Sequence, residues 1–390
     1  MIKGCILPWI HLFGDVGGTY RLCCHIRRGA ESAAPSSTPI SSVFNNKYYK
    51  NIRKNFLAGN TPGICQEVCY DKEDLGAESN RQQVNKRFAQ FSKLQDATKE
   101  DGSISNNPIY LDIRFSNKCN FKCRICGPGS STAWIKDAKY ISQFKNSPKI
   151  RDYFTDNDDF WEYLKQIKDS VKYFYFAGGE PLIMDGHYKL LQWLIDNNKT
   201  DVELTYNTNL STLIYKNYDV FELWSKFDNI SLWPSVDGYK DHCEYSRTNF
   251  NWDNFEKNIK KVRKYVQTVS CTVSIYSILT TVELIIYLKS IGISTYLSIL
   301  DTPTYLDCRL LPPNIKNIII RKFSLLKKKF SFSESELINF NKTLLYLQND
   351  TENEDYLLKE FKKYNQQIDK LNNISFIKIY PELEQWYEII

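Results

Sequence analysis

The sequence predicts an α/β fold in which six parallel strands alternate with helices as a partial (β/α)6 barrel. Six β-like segments alternate with helix-like segments between residues 109 and 310. Strands that alternate with helices in this way are typical of parallel βαβ units with right-handed crossovers. The predicted strands are 109–115, 172–176, 203–208, 230–236, 268–275 and 295–300, and the predicted helices are 161–170, 187–197, 213–227, 252–266 and 281–291.

The length of 390 residues exceeds one ordinary domain of about 150 residues, and four regions are predicted. Residues 1–78 form a small cysteine-rich unit, in which β-like runs at 6–13 and 19–24 flank Gly17 and Gly18 and predict a hairpin. Residues 79–108 are a polar helical linker with its helix at 80–95, and residues 109–310 are the barrel. A mostly helical extension occupies 311–390, with helices at 314–330, 333–348 and 352–371 and a last strand at 374–380.

The composition excludes several classes of protein. Hydrophobic residues at 42% and charged residues at 25% are ordinary globular values, which argues against collagen-like, disordered and coiled-coil chains. The net charge of +6 (51 basic minus 45 acidic residues) is small, and the basic runs at 47–54 and 327–329 are predicted to be solvated helix faces. A nucleic-acid partner is therefore not favoured.

The 11 cysteines indicate metal binding rather than disulfides. The sequence shows no signal peptide, and no stretch approaches the ~18 apolar residues that a membrane span needs. We therefore expect a cytoplasmic protein with reduced thiols and no membrane partner. In such a compartment, grouped cysteines point to metal before disulfide.

The sharpest motif is Cys119, Cys123 and Cys126, a C-x3-C-x2-C run directly after the first barrel strand. Three thiolates within eight residues can bind one face of a 4Fe–4S cluster. Because the cluster has four irons, one iron keeps an open position for another ligand. The alternative, a structural zinc site, would need four protein ligands, and no histidine lies near.

This loop resembles the signature of the radical S-adenosylmethionine (SAM) superfamily, C-x3-C-x-Φ-C, with Ile125 at the commonly aromatic Φ position. Gly178-Gly179-Glu180-Pro181 follows the second strand and is similar to the GGEP motif of that family. The resemblance implies that SAM chelates the open iron and that the reduced cluster cleaves SAM to methionine and a 5′-deoxyadenosyl radical. It also implies that Gly178, Gly179 and Glu180 hold the SAM amino group and that Ile125 packs on the adenine. Alone, the GGEP sequence would be read as a turn.

Polar residues also follow the fourth predicted strand, at Ser235 and Asp237, and Arg247 lies ten residues beyond Asp237. The resemblance implies that Ser235 and Asp237 bind the SAM ribose and that Arg247 binds its carboxylate. The alternative interpretation is that Asp237-Gly238 is only a strand-ending turn.

A second group of cysteines lies in the first region. Cys5 is followed by Gly18-x4-Cys23, similar to the C-x(9–15)-G-x4-C hairpin of twitch and SPASM domains, which hold auxiliary 4Fe–4S clusters in many radical SAM enzymes. Cys65 and Cys69 would complete four ligands, although the family's usual closing pair is C-x2-C rather than C-x3-C. In most relatives this unit follows the barrel, whereas here it precedes it. The resemblance implies one auxiliary cluster without an open iron, which passes electrons.

Cys24 is an alternative to Cys23 as a ligand, but neighbours in a strand point to opposite sides, so only one of them should coordinate. Of the remaining thiols, Cys271 lies mid-strand and is predicted to be a buried small hydrophobe. Cys243 and Cys308 are near strand ends, and both are weak candidates for a direct role such as hydrogen donation to a substrate radical.

The predicted activity is that of a radical SAM enzyme, an oxidoreductase or another radical-based modifying enzyme, that abstracts a hydrogen atom from its substrate. The preferred substrate is a ribosomally made peptide that is crosslinked, epimerised or dehydrogenated. The alternative is a small metabolite such as a sugar, an aminocyclitol or a natural-product intermediate. A non-catalytic iron–sulfur electron carrier is the alternative of another class. The implied partners are SAM, the substrate and an electron donor such as flavodoxin or ferredoxin.

Overall fold

A computed structural model describes residues 2–26, 33–74, 78–144, 149–300 and 302–390 of the chain. The chain divides into two compact units, each assembled from separate segments. The first unit comprises Met1–Asn117, Arg151–Tyr206 and Tyr218–Ile230, and the second comprises Lys118–Ile150, Asn207–Asn217 and Ser231–Ile390. The four regions expected from the sequence stay predictions.

All six predicted barrel strands are present, each within about two residues of its expected bounds. They are β3, β5, β6, β9, β11 and β12 in the chain order of the described strands. The strands are β1 (His11–Gly14), β2 (Tyr20–Arg21), β3 (Tyr110–Ile113), β4 (Lys122–Cys123), β5 (Tyr173–Phe176), β6 (Glu203–Thr208), β7 (Ile214–Tyr215), β8 (Tyr218–Asp219), β9 (Asn229–Pro234), β10 (Arg247–Thr248), β11 (Thr268–Val273) and β12 (Ser294–Ile299).

The sheet of the first unit has the order β2-β1-β3-β5-β6, and β9, whose first two residues belong to this unit, is next in that order. β1 is antiparallel to β2 and parallel to β3, so the N-terminal hairpin contributes a strand to the parallel sheet. The strands β3, β5 and β6 are parallel, and Asp112 of β3 lies opposite Tyr175 of β5. The predicted parallel α/β sheet is confirmed.

In the second unit β11 and β12 are parallel from the pair Thr268–Ser294 to the pair Val273–Ile299. Parallel bridges join Leu232 to Val266 and Ser235 to Ser270. The end of β9 therefore lies beside β11. A separate antiparallel pair joins β4 to β10.

Helices follow the strands as predicted, and several begin at a side chain that caps them. Asn157 accepts a hydrogen bond from an N–H of α7, and Ser333 and Glu336 form a capping box at α14. The helices are α1 (Leu7–Ile10), α2 (Ile40–Val43), α3 (Lys47–Leu57), α4 (Gly63–Cys65), α5 (Asp71–Asp74), α6 (Asn80–Arg87), α7 (Asp158–Ile167), α8 (Asp185–Asp196), α9 (Val220–Trp224), α10 (Asp241–Ser246), α11 (Trp252–Lys261), α12 (Thr281–Ser290), α13 (Pro313–Lys329), α14 (Glu334–Gln348), α15 (Glu354–Asn372), α16 (Phe376–Ile379) and α17 (Glu384–Ile389).

The prediction of a strand at 374–380 is wrong, because this segment contains the helical turn α16. Phe376 and Tyr380 are both buried, and their rings stack with centroids 4.7 Å apart. A spacing of four residues puts two side chains on one face of a helix as well as on one face of a strand, which is why the pattern misled.

Several other predicted elements differ in extent, among them the strand at 19–24, which is only Tyr20–Arg21, and the helix at 252–266, which ends at Lys261. The segment 213–227 contains the short strands β7 and β8 before α9, because the Asp219 side chain accepts hydrogen bonds from Phe221 N and Glu222 N and so begins the helix there. The helix at 80–95 ends at Arg87 and continues as the 3-10 turn Ala89–Leu94. The run at 6–13 begins with the helical turn α1, which has Pro8 in its first turn.

Among the residues described, no helix is both long and apolar enough to cross a membrane.

Candidate functional site

The three cysteines of the C-x3-C-x2-C run lie on one loop of the second unit. The antiparallel pair β4–β10 places Cys123 opposite Arg247. Cys123 is buried, while Cys119 and Cys126 are half-buried. The N–H of Cys126 donates to the Cys123 carbonyl over 3.0 Å, and the N–H of Cys119 donates to Thr132 Oγ1 over 3.2 Å. The loop backbone is therefore held while the thiols stay close together.

The thiols interact electrostatically with one another and with Arg247. The hydrogen bond with Cys126, together with burial, raises the pKa of Cys123 well above its usual value. The same hydrogen bond lowers the pKa of Cys126. Arg247 acts on both thiols to lower their pKa values and so favours the thiolate form. Three thiols gathered on one loop beside a cation fit the donor set of a 4Fe–4S cluster with one open iron.

Arg247 is held by a buried carboxylate. Asp237 Oδ2 accepts a hydrogen bond from Arg247 Nε over 2.8 Å and forms an ion pair with Nη2 at 2.8 Å, and Oδ1 accepts a hydrogen bond from Thr272 N–H over 2.8 Å. Arg247 Nη1 lies 3.9 Å from Cys123 Sγ. Burial works against the charge of Arg247, but Asp237 and the thiols raise its pKa above the usual value. Asp237 and Arg247 thus bind each other at the cysteine loop, and their predicted contacts with SAM stay predictions.

The other SAM-binding candidates of the second unit surround the end of β9. Ser235 is half-buried, and its N–H donates to the Thr208 carbonyl over 2.8 Å. Beside it, Asn209 Nδ2 donates to Asn120 Oδ1 of the cysteine loop over 3.0 Å. Ile125 is half-buried on the same loop. The structure therefore brings the strand end at 208–211 to the cysteine loop, while the roles of Ser235 and Ile125 stay predictions.

The Gly178-Gly179-Glu180-Pro181 motif lies in the first unit, directly after β5. Gly178 has a φ of +115°, and a Cβ there would lie 3.1 Å from the Ser116 carbonyl oxygen. The N–H of Gly179 donates to that same oxygen over 3.2 Å. Glu180 is buried, and its Oε1 accepts a hydrogen bond from Leu182 N–H over 3.0 Å. Gly178 therefore allows the close approach to residue 116. The predicted binding of the SAM amino group by this motif stays a prediction.

Four cysteines of the first unit line one cavity: Cys5, Cys23, Cys65 and Cys69. The rest of its lining is apolar apart from Asn80 and Arg81. Cys65 ends α4, and Cys69 lies on the π-helical turn Gln66–Tyr70 that follows. The structure thus brings together, from three separate stretches of sequence, the four thiols expected to hold the auxiliary cluster.

Across the described ranges, no three His, Cys, Asp or Glu side chains converge closely enough to hold a single metal ion. In a cubane each iron takes one cysteine, so the ligands surround the cluster and do not meet at one point. A set of four thiols around a shared apolar cavity fits such a cluster better than one zinc ion, which needs all four donors on a single centre.

Cys5 and Cys65 are neutral unless a metal binds them. Burial, together with the neighbouring Cys69 thiol, raises the pKa of each to about 12. Arg81 opposes this by lowering both pKa values. The guanidinium of Arg81 lies over the Tyr70 ring at 4.3 Å and donates to Glu73 Oε1 over 2.9 Å. Metal binding supplies the deprotonation that burial opposes.

Cys24 does not line the cavity. It is exposed, and its thiol donates a hydrogen bond to the Asp112 carboxylate on β3. Cys23 and Cys24 thus face different surroundings, although both lie beyond β2 (Tyr20–Arg21) and not in the strand expected at 19–24. Cys243, Cys271 and Cys308 are fully buried, and burial raises the pKa of each thiol. The candidate roles of Cys243 and Cys308 stay predictions.

Residues 113–306 match the family described as the radical SAM superfamily. This stretch contains the C-x3-C-x2-C loop, the Gly-Gly-Glu-Pro motif and the Asp237–Arg247 pair. Residues 113–306 are a radical SAM domain.

The curated relatives of this radical SAM chain include three bacterial proteins named GTP 3′,8-cyclase. The protein of Campylobacter lari is 29% identical over 124 residues, 32% of this chain and 34% of the relative. The protein of Aliarcobacter butzleri is 25% identical over 101 residues (26% and 27%), and that of Campylobacter fetus subsp. fetus is 29% identical over 134 residues (34% and 37%). The chain spans about a third of the length of the curated relatives it matches.

Among solved structures, the chain is similar to Streptococcus suis SuiB bound to precursor peptide SuiA. The sequence identity is 16% and the TM-score is 0.36, over 70% of this chain and 62% of that chain.

Sequence reasoning missed one residue of the radical SAM loop, Arg124. It is fully buried and contacts Asn365 and Asp369 of α15. The available signal was a polar pair at a spacing of four residues, on the face of α15 that also carries the buried Phe361 and Ile368. Nothing in the sequence connects that pair with a loop more than 240 residues earlier.

Replacing Asp237 by Ala tests the buried ion pair. We expect the free energy of unfolding of the second unit to fall by about 3–5 kcal/mol, because the Arg247 charge would be left buried without its partner. Urea denaturation followed by tryptophan fluorescence measures this loss. Asp253→Ala, at an exposed acidic residue of α11, is the matched control and should change stability by no more than about 0.5 kcal/mol. Equal losses in the two variants would contradict the assignment.

Proposed function

We propose that this chain is a radical SAM enzyme that reductively cleaves SAM and abstracts a hydrogen atom from a peptide substrate. The observation that carries the proposal is the gathering of Cys119, Cys123 and Cys126 on one loop within the matched family region. These three residues would hold a 4Fe–4S cluster. With SAM bound and one electron supplied, such a cluster provides the 5′-deoxyadenosyl radical that abstracts the hydrogen.

The chain's own residues position this chemistry. Arg247, held by Asp237, lies against the Cys123 thiol and balances part of the negative charge of the ligands. The buried Glu180 offers a carboxylate for the SAM ammonium, and Ser235 offers a hydroxyl for the ribose. Because Asp237 already accepts bonds through both oxygens, we assign it the positioning of Arg247 ahead of a bond to the ribose. A flavodoxin or ferredoxin of the cytoplasm would supply the electron.

The four-thiol cavity of the first unit is the observation in favour of one auxiliary 4Fe–4S cluster, which Cys5, Cys23, Cys65 and Cys69 would hold. With four protein ligands it would have no open iron, so its role would be electron transfer rather than substrate binding. The apolar lining of the cavity keeps water from the cluster, and Arg81 supplies a positive charge beside it. Solvent exposure and nearby charge are two of the factors that set the potential of such a cluster.

A peptide is the proposed substrate because auxiliary clusters of the twitch and SPASM type accompany peptide crosslinking, epimerisation and dehydrogenation in many members of the family. The four-thiol cavity is the structural feature that supports such a unit here. The second candidate is a small molecule, and the three relatives named GTP 3′,8-cyclase make a purine nucleoside triphosphate the specific alternative.

Anaerobic reconstitution tests the radical chemistry. With dithionite and SAM, the wild-type chain should form 5′-deoxyadenosine, detected by chromatography and mass spectrometry. Cys123→Ala should reduce this product to background, because a cluster ligand is lost. Cys271→Ala removes a buried thiol of β11 that lies outside both groups and should leave the product unchanged. No 5′-deoxyadenosine from the wild-type chain would refute the enzyme and favour an electron carrier.

Iron content tests the two clusters separately. Two cubanes predict about eight irons per chain. Replacing Cys65 and Cys69 by Ala should leave about four irons and preserve the cluster of the C-x3-C-x2-C loop. Cys24→Ala is the control, because its thiol contacts Asp112 and does not line the cavity. A wild-type chain with about four irons, unchanged by the double replacement, would exclude the auxiliary cluster.

A substrate comparison separates the peptide from the nucleotide. The reconstituted chain is incubated with GTP or with short peptides encoded beside its gene, and the products are measured by mass spectrometry. A crosslink or dehydrogenation removes two hydrogens from the peptide, and epimerisation in D2O introduces deuterium. We expect a modified peptide with the wild-type chain and none with Cys123→Ala. Consumption of GTP without any peptide modification would reverse the order of the two candidates.

A further inference from the structure

The cysteine loop carries a buried cation, Arg124, directly after Cys123. Every nitrogen of its guanidinium is used: Nη1 donates to Asn365 Oδ1 over 2.7 Å, Nη2 to Asp369 Oδ1 over 2.6 Å, and Nε to the Tyr245 carbonyl over 3.0 Å. The guanidinium carbon lies 3.8 Å from the centroid of the Tyr245 ring. Burial works against its charge, but Tyr245, Tyr276 and Asp369 raise the pKa of Arg124 above its usual value. The side chain is therefore a fixed cation.

The backbone of Arg124 is fixed as well. Its N–H donates to the Ser246 carbonyl over 2.8 Å, and its carbonyl accepts a hydrogen bond from the Tyr364 hydroxyl over 2.7 Å. Tyr364 belongs to α15, as do Asn365 and Asp369. One helix of the C-terminal extension thus holds both the side chain and the main chain of a residue adjacent to a predicted cluster ligand.

The acceptors on α15 are oriented independently of Arg124. Asp369 Oδ2 accepts a hydrogen bond from Phe376 N–H over 2.7 Å, which leaves Oδ1 facing the arginine. Asn365 Nδ2 donates to the Tyr387 hydroxyl over 3.2 Å, which directs its Oδ1 toward the same guanidinium. The site for the arginine is therefore built by α15 and the segment that follows it.

A second contact holds the other neighbour of Cys123. Lys122 Nζ donates to Asp137 Oδ2 over 2.7 Å and to Asn372 Oδ1, at the end of α15, over 3.2 Å. The two residues that flank Cys123 are thus both bound to this helix.

We propose that α15 is a positioning element of the radical SAM site, which fixes Cys123 by binding Arg124 and Lys122. The inference rests on the proposal that Cys119, Cys123 and Cys126 hold the cluster. If the loop moved Arg124 away from α15, the buried charges of Arg124 and Asp369 would be separated. Such a conformation has a high free energy, because it leaves a buried charge without its partner. The C-terminal extension then belongs to the catalytic machinery although it lies outside the matched region 113–306.

The main test replaces Asp369 by Asn in the full chain. The control is Asp355→Asn, which makes the same change of charge at an exposed position of the same helix. In the metal-free protein, iodoacetamide should modify the buried Cys123 about tenfold faster in Asp369→Asn than in Asp355→Asn, measured by peptide mass spectrometry. This measurement needs neither the cluster nor SAM cleavage, so it stands even where the proposed function fails. After reconstitution, loss of iron to a chelator should also be about tenfold faster.

Two further variants separate positioning from general stability. Tyr364→Phe removes only the hydrogen bond to the Arg124 carbonyl, so it tests the same anchor if Asp369→Asn does not fold. The double variant Arg124→Met with Asp369→Leu removes both charges, so stability should recover toward that of the wild type while alkylation of Cys123 stays fast. The proposal is overturned if Asp369→Asn and Tyr364→Phe alkylate like Asp355→Asn, or if alkylation returns to the wild-type rate in the double variant.

Discussion

Thiolates gathered around a cluster carry negative charge that a buried site must balance, because burying an uncompensated charge is costly. Each of the two cysteine groups has an arginine beside it. In the second unit Arg247 lies 3.9 Å from Cys123 Sγ, and in the first unit Arg81 lines the cavity of the four thiols. The arginines are always charged, so they favour the thiolate form without titrating themselves.

The arginines depend in turn on carboxylates that a second hydrogen-bond donor holds in place. Asp237 is fixed by the N–H of Thr272, and Asp369, which binds Arg124, is fixed by the N–H of Phe376. Glu73, which binds Arg81, accepts a hydrogen bond from the Ser79 hydroxyl at the start of α6. Each cation therefore binds a carboxylate that also has a hydrogen-bond donor of its own. A carboxylate held in this way keeps its arginine in position when the charge of a bound group changes. Hydrogen bonds around the ligands of metal sites make the same contribution.

The alternation of strands and helices was predictable because each element follows a strong local pattern, and β6 was predicted to the residue. The clustered cysteines were predictable because their chemistry requires short spacings. The α16 turn was not, since Phe376 and Tyr380 fit a helix and a strand equally well and tertiary packing decided between them. Arg124 was not found because an arginine inside a cysteine loop is normally solvated, and its burial depends on Asp369, far along the chain.

Cys23 and Cys24 show how the hairpin of the first unit connects its two surroundings. Cys23 lines the four-thiol cavity, whereas the next thiol along the chain binds Asp112, whose carboxylate also pairs with Arg114 at 2.7 Å. Asp112 lies opposite Tyr175 in the parallel sheet. Only one peptide bond therefore separates the auxiliary cavity from a polar cluster on strand β3. Because β1 joins the sheet beside β3, the cavity is built onto the parallel sheet itself and not onto a tethered separate domain.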